Sequence, residues 1–338
     1  MNDPVIAYEK TPKKRTRRKL AVLFLLLAAL GFVGMLAYQY ATTKKPLGEI
    51  GALPWVPSGV AKKPPHYLYS IYGLGRPMGV ARSGDQVFIT DLGEQKAVLV
   101  FDSDGKLVNT LAPPGVTDWM PVYVATDRDG NVYVSDRLRA TIDIFGADGS
   151  YRGGFLEFGV PEEEWQPLAL AFDREGNLYV SLIAPGAHQI AVFSPDGLLK
   201  VRFGKEGSQP GQFWFPNGLA VDDRGNIYVA DSNNGRVQAF GAEGNLMFVI
   251  GRGSDEGGLS MPRGIAVDGQ NRLFVVDTVA YEVKVFDVSR ARPRLLYTFG
   301  AGGIGDGQFF FPNGLTLDSS SRIYVTDREN ARVQVWGY

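Results

Sequence analysis

Beyond residue 66, apolar and polar residues alternate with a period of two in short runs such as "GLAVD", "NIYVAD", "RVQAF" and "LMFVIG". Turns such as "DDRGN" and "GAEGN" separate them. Alternation at that period sends successive side chains to opposite faces, so these runs, rich in Val, Ile, Tyr and Phe, predict short β-strands. No stretch after Tyr38 has the 3.6-residue period of an amphipathic helix. The pattern itself recurs. "FPNGLAVDDRGNIYVAD", from Phe215, returns as "FPNGLTLDSSSRIYVTD" from Phe311, and partial copies place Pro77, Pro121, Pro167 and Pro262 in register with Pro216 and Pro312.

The prolines fall at intervals of 44, 46, 49, 46 and 50 residues, a period suited to four strands per repeat and to a ring of packed blades. The last unit stops at "ARVQVWGY" with three strands, while an orphan of the fourth-strand type, "YLYSIYG" (67–73), precedes the first proline. If that strand completes the last blade, the ring closes and no sheet edge is left open. The prediction is an all-β, six-bladed β-propeller over residues 67–338. "GQFWFPNGLAVDDRGNIYVADSNNGRVQAFGAEGNLMFVIG" (Gly211 to Gly251) and "GQFFFPNGLTLDSSSRIYVTDRENARVQVWG" (Gly307 to Gly337) resemble the NHL-repeat six-bladed propellers. The resemblance implies that fold, and it brings in bacterial relatives that serve as sensor domains outside the membrane. It does not imply one activity, because the fold hosts unrelated functions.

Ahead of the repeats, Leu20 to Tyr38 run 19 residues without a charge. A helix of that length reaches about 28 Å, close to the hydrocarbon thickness of a bilayer. The flanking charge is asymmetric, with seven basic residues against Asp3 and Glu9 in 1–19. The positive-inside bias therefore predicts a cytoplasmic tail (1–19), a transmembrane signal-anchor helix (20–38) and an extracytoplasmic remainder. A cleaved signal peptide is the rival reading, though the apolar run exceeds the usual core of one. Residues 39–66 hold Pro46, Pro54, Pro57, Pro64 and Pro65, a density that favours an extended stalk.

Composition narrows the chemistry. The chain has no cysteine, which removes disulfides, thiolate metal sites and cysteine nucleophiles. The formal charge of -1 conceals a net -9 in residues 66–338, which opposes nucleic-acid binding, known among cytosolic relatives. His66 and His188 are the only histidines, too few for the multi-histidine zinc site that resemblance to the peptide-amidating lyases would imply. More distant lactonase-like propellers hold calcium-type ions on Asn, Asp and Glu in the central pore, which leaves such an ion open here. The Asp ending each second strand (Asp91, Asp136, Asp231, Asp277, Asp327) is expected to bind turn amides, and Leu182 replaces it in the third unit, before "IAPGAHQ". Turns such as "DRDGN" lack the full ligand series of a calcium loop, and "GAGGIGDG" and "GRGSDEGG" open no helix that would cradle phosphate.

In propellers of this kind, the loop into the first strand and the loop after the second share one face. That face would present Trp119, Trp165 and Trp214 two residues before their prolines. It would also carry Asn217, Arg263 and Asn313 just after the prolines, and Arg137, Asn233, Tyr281 and Arg328 from the second loops. The expectation is an aromatic arc beside a polar, Arg-containing pore mouth that binds a protein, peptide or glycan. The competing expectation is that the tryptophans wedge between blades. The function that follows is a non-catalytic, membrane-anchored binding or scaffold module needing no cofactor; the alternative is a metal-assisted lyase or hydrolase with its site in the pore.

Overall fold

The computed structural model describes residues 63–155, 159–251 and 257–338. The predicted tail, transmembrane helix and most of the stalk lie outside those residues; among the described ones, no helix is long and apolar enough to cross a membrane. Short runs of β-branched and aromatic residues between turns fold as 24 strands in six antiparallel sheets of four. Blade one comprises β2 (Pro77–Ser83), β3 (Gln86–Asp91), β4 (Ala97–Phe101) and β5 (Leu107–Leu111). Blade two follows with β6 (Pro121–Thr126), β7 (Val132–Asp136), β8 (Thr141–Phe145) and β9 (Tyr151–Gly154), and blade three with β10 (Pro167–Phe172), β11 (Leu178–Leu182), β12 (Gln189–Phe193) and β13 (Leu199–Phe203). Blade four is β14 (Pro216–Val221), β15 (Ile227–Asp231), β16 (Arg236–Phe240) and β17 (Leu246–Gly251). Blade five is β18 (Pro262–Val267), β19 (Arg272–Asp277), β20 (Glu282–Asp287) and β21 (Arg294–Phe299).

Blade six holds β22 (Pro312–Leu317), β23 (Ile323–Asp327) and β24 (Arg332–Gly337), and its fourth strand is β1 (His66–Ile71), from the other end of the described chain. The orphan strand expected at 67–73 thus completes the last blade, pairing His66 with Gly337 and Ile71 with Val333. The first strands of successive blades touch one another in a closed ring, with β22 meeting β2. The described residues form a six-bladed propeller with the first strands lining its pore.

Six apolar clusters hold the ring, each straddling two neighbouring blades. The one that joins blades six and one contains Ile71, Val80, Ile89, Val333 and Val335, so the closing strand adds a buried side chain as well as hydrogen bonds. Five hairpins between first and second strands share one device: the carboxylates of Asp127, Asp173, Asp222, Asp268 and Asp318 each accept the amides two and four residues onward. These acids serve their own turns.

Ile71 is 2% exposed and Leu68, on the same strand, 39%. Ile71→Ala is expected to lower unfolding free energy by about 2–4 kcal/mol, and Leu68→Ala by under about 1 kcal/mol. Urea denaturation of the two variants checks this, and equal effects would contradict closure through β1.

Candidate functional site

Every first strand starts opposite the end of its second strand. The pairs are Pro77 with Asp91, Pro121 with Asp136, Pro167 with Leu182, Pro216 with Asp231, Pro262 with Asp277 and Pro312 with Asp327. The two loop sets therefore share one face, here called upper. The recurring Asp fastens them together. Asp231 accepts the Trp214 amide at 2.6 Å, Asn234 Nδ2 at 2.8 Å and Arg236 Nε at 2.8 Å; Asp327 repeats the set with Phe310, Asn330 and Arg332. Asp277 accepts from Ser260 and Met261, Asp136 from Met120, and Asp91 from Gly75 and Arg76. Burial raises the Asp231 carboxyl, and these hydrogen bonds pull it back without cancelling the shift. In blade three, Leu182 fills the same place as a fully buried apolar residue, and the loop continues inward through Ile183, Ala184 and His188.

The three tryptophans do not form a surface arc. Trp119 is 2% and Trp165 9% exposed, while Trp214 is 49% exposed. Trp119 packs near Phe145 in the core between blades one and two and donates its Nε1–H to Asp143 at 2.8 Å; Trp165 lies against Phe155 and Phe193. In blades four and six the residue before the proline, Phe215 or Phe311, has a left-handed φ of 58° or 53° and the wedge sits one residue earlier; blade five wedges at that same earlier place with Leu259, although Met261 is not left-handed. In blades four and six the wedge is the residue three before the proline, Phe213 or Phe309, both fully buried, and Trp214 and Phe310 turn outward.

Around the pore mouth, the residues after the prolines divide by blade. Val122 and Leu168 form an apolar cluster with Tyr123 and Ile183, flanked by Met78, Met120 and Phe215. Asn217, Arg263 and Asn313, on blades four to six, are polar. Arg263 Nη1 donates to Asn313 Oδ1 at 2.8 Å, and Asn313 Nδ2 donates to the Met78 carbonyl at 2.9 Å, which bridges blades five, six and one. Asn217 Nδ2 turns back to the Phe215 carbonyl at 3.2 Å. Farther out, the Arg328 guanidinium lies 5.4 Å from the Phe311 ring centre, and Tyr281 meets Phe311 edge-on at 5.3 Å. Arg328 is held below its ordinary pKa by partial burial, with the nearby charges of Arg263 and Arg76 adding to the effect. Arg137 is lowered by partial burial as well. Asn233 is exposed beside Trp214, its backbone N–H donating to the Trp214 carbonyl at 3.0 Å.

Sequence reading missed Tyr123, the most telling residue of the site. Two residues after the proline, blades one, four, five and six carry Gly79, Gly218, Gly264 and Gly314, where inner strands approach so closely that a Cβ on Gly314 would lie 2.6 Å from the Met78 carbonyl oxygen. Blade two has Tyr123 there, lining a central cavity with Gly218, Gly264 and Gly314. Its hydroxyl is buried with no partner at full hydrogen-bond distance; burial raises its pKa, and Arg263 and the nearby Asn313 side chain pull it the other way. The signal was the break in the Pro-x-Gly pattern at "PVY". Below Tyr123 lie a cavity of about 50 Å³ and a lower mouth of about 240 Å³.

For a pore-held cation, no three His, Cys, Asp or Glu side chains converge as a metal site among the described residues, and at the upper mouth Arg263 and Arg328 stand with the single carboxylate of Glu329, which already pairs with Arg328 and Arg76. His188 is buried against Phe215, whose amide donates to its Nδ1 at 3.4 Å, and His66 sits on the exposed closing strand.

The NHL repeat family model matches residues 213–240 and 309–336. No curated protein matches the chain by sequence. Similar solved structures include virginiamycin B lyase from Staphylococcus aureus, with 13% identity and a TM-score of 0.56 over 81% of this chain and 99% of that one. They also include a gluconolactonase from Xanthomonas campestris, at 20% identity and TM-score 0.60 over 81% and 94% of the two chains. A nidogen/laminin complex contains a third, at 20% identity and TM-score 0.54 over 66% and 79%. Identities this low bear on the fold alone.

The burial difference among the tryptophans has a measurable consequence. Trp119→Ala and Trp165→Ala are each expected to cost about 3–5 kcal/mol of stability, and Trp214→Ala under about 0.5 kcal/mol. Chemical denaturation of the single variants decides it, and a Trp214→Ala loss as large as the others would contradict the assigned register shift.

Proposed function

We propose that this NHL-repeat six-bladed β-propeller is a non-catalytic binding or scaffold module that uses its upper face and is held outside a membrane by its N-terminal anchor. The observation that carries the binding reading is the two-sided pore mouth, apolar on blades two and three and polar on blades four to six, with buried polar atoms that no protein group satisfies. Around it, Trp214, Phe310 and Arg137 stand exposed on the same face. Large aromatics and arginines with one open side are the residues that supply most of the energy in protein and peptide recognition. Membrane anchoring is supported by the uncharged run at 20–38 and the basic residues before it. A protein, peptide or glycan ligand suits such a face. The alternative of a metal-assisted lyase or hydrolase draws on fold neighbours, and no donor cluster among the described residues favours it.

The lack of cysteine makes topology directly testable. Single variants Thr16→Cys and Trp214→Cys are expected to separate in intact cells, with a membrane-impermeant maleimide labelling the second and sparing the first. Labelling of Thr16→Cys alone, or recovery of the unprocessed chain in the soluble fraction, would contradict the proposed topology. For the binding reading, a photo-crosslinker at position 214 is expected to trap a partner in the membrane, and one at Arg128, on an opposite-face turn, is not; equal capture would contradict it.

A further inference from the structure

We infer that Arg263, with Asn313 and Tyr123, forms a seat at the upper pore mouth that takes an apolar ligand by its carboxylate. The inference deepens the binding reading and rests on it. Its first support is an unbalanced charge. Among the described residues Arg263 makes no ion pair; its partners are Asn313 Oδ1 at 2.8 Å and the Met261 sulfur at 3.9 Å. Its Nε is buried and unpartnered. The neighbouring cations do not relieve this, since Arg328 and Arg76 share one oxygen of Glu329, at 2.8 and 3.3 Å. A partly buried guanidinium in that setting favours an incoming anion.

The shape of the donor set selects among anions. Nη1 is committed to Asn313, and Asn313, fully buried, is fixed by its own bond to the Met78 carbonyl. What is left is the edge formed by Nε, buried without a partner, and Nη2, whose one contact is the weak acceptor sulfur of Met261 at 3.9 Å; the two parallel N–H bonds of such an edge match the two oxygens of a carboxylate. Tyr123 adds a buried hydroxyl, 8% exposed as a residue, and packs with Met78, whose carbonyl holds Asn313. A phosphate, with more charge and a further acceptor oxygen, would leave acceptors unmatched by this set. The apolar body follows from the opposite wall, where Val122, Leu168 and Ile183 meet Met78, Met120 and Phe215. A carboxylate held on the Arg263 side places an attached hydrophobic group against that wall.

The chain's six methionines provide the readout, because Met78, Met120 and Met261 flank the seat while Met247 lies 49% exposed on β17, the outer strand of blade four. The full chain in detergent, labelled with ¹³C at the methionine methyls, is titrated to millimolar levels with N-acetylphenylalanine, with its carboxamide and with inorganic phosphate. The expected result is a saturable shift of the Met78, Met120 and Met261 signals with the carboxylate only, and an unmoved Met247. Arg263→Met is expected to weaken binding about ten- to hundredfold, as loss of a charged hydrogen bond does, and Tyr123→Phe less. Arg263→Lys, which keeps the charge and loses the paired edge, is expected to fall between wild type and Arg263→Met, guarding against an Arg263→Met variant that fails to fold. Equal shifts with acid and carboxamide, a response to phosphate alone, or unchanged binding by Arg263→Met would each overturn the seat. If crosslinking from position 214 persists in Arg263→Met while the carboxylate produces no shift in wild type, the seat fails and the binding face stands; loss of wild-type crosslinking removes the reading beneath both.

Discussion

A four-stranded blade has two apolar faces and cannot bury either by itself, so each sheet in this molecule is stable only between two others. That constraint generates the architecture. Six inter-blade clusters fill the contacts, and the last of them exists because β1 returns from the other end of the described chain to lie beside β24. Closure leaves each first strand on the pore and turns both of its loops toward fixed faces. The upper face therefore inherits its geometry from packing. The buried Asp that joins the loops, such as Asp231 or Asp327, converts that packing into a defined loop conformation through several hydrogen bonds at once.

Against this repeated frame, the departures from repetition are informative. Tyr123 stands where four blades have glycine, Leu182 where five have aspartate, and Arg263 where the facing blades have apolar residues. All three are on the upper half of the molecule. The opposite hairpins, by contrast, repeat one Asp-centred turn five times with its acceptors already satisfied. Unpartnered buried polar atoms occur at both mouths, Tyr123 Oη and Arg263 Nε above and Arg82 Nε below, so what sets the upper mouth apart is the apolar wall of Val122, Leu168 and Ile183 facing Arg263.

The repeat, the blade number and the closing strand were legible in the sequence because strand periodicity and the proline register are properties of the chain alone. So was the structural role of the recurring Asp. The site was legible only in part. Arg263 and Asn313 were named from their place after the proline, and the structure joins them by a hydrogen bond. Tyr281 and Arg328 also meet, through Phe311, whereas Arg137 and Asn233 stand apart from that pair. The tryptophans misled because alignment on the proline counts residues, whereas burial depends on backbone conformation. In blades four to six the wedge stands three residues before the proline, as Phe213, Leu259 and Phe309, and only in blades four and six does a left-handed residue, Phe215 or Phe311, accompany it. No residue-type pattern in one blade discloses that shift; it is set by how the loop meets the next blade.

The most direct test of the account is hydrogen–deuterium exchange of the full chain in its native membrane, compared with the same chain purified in detergent. Slower exchange in the membrane at residues 117–123, 211–218, 258–264 and 308–314, which carry the upper loops, is the predicted result. Slower exchange confined to the opposite turns at 127–131, 173–177 and 222–226, or no difference on either face, would contradict a binding role for the upper pore mouth.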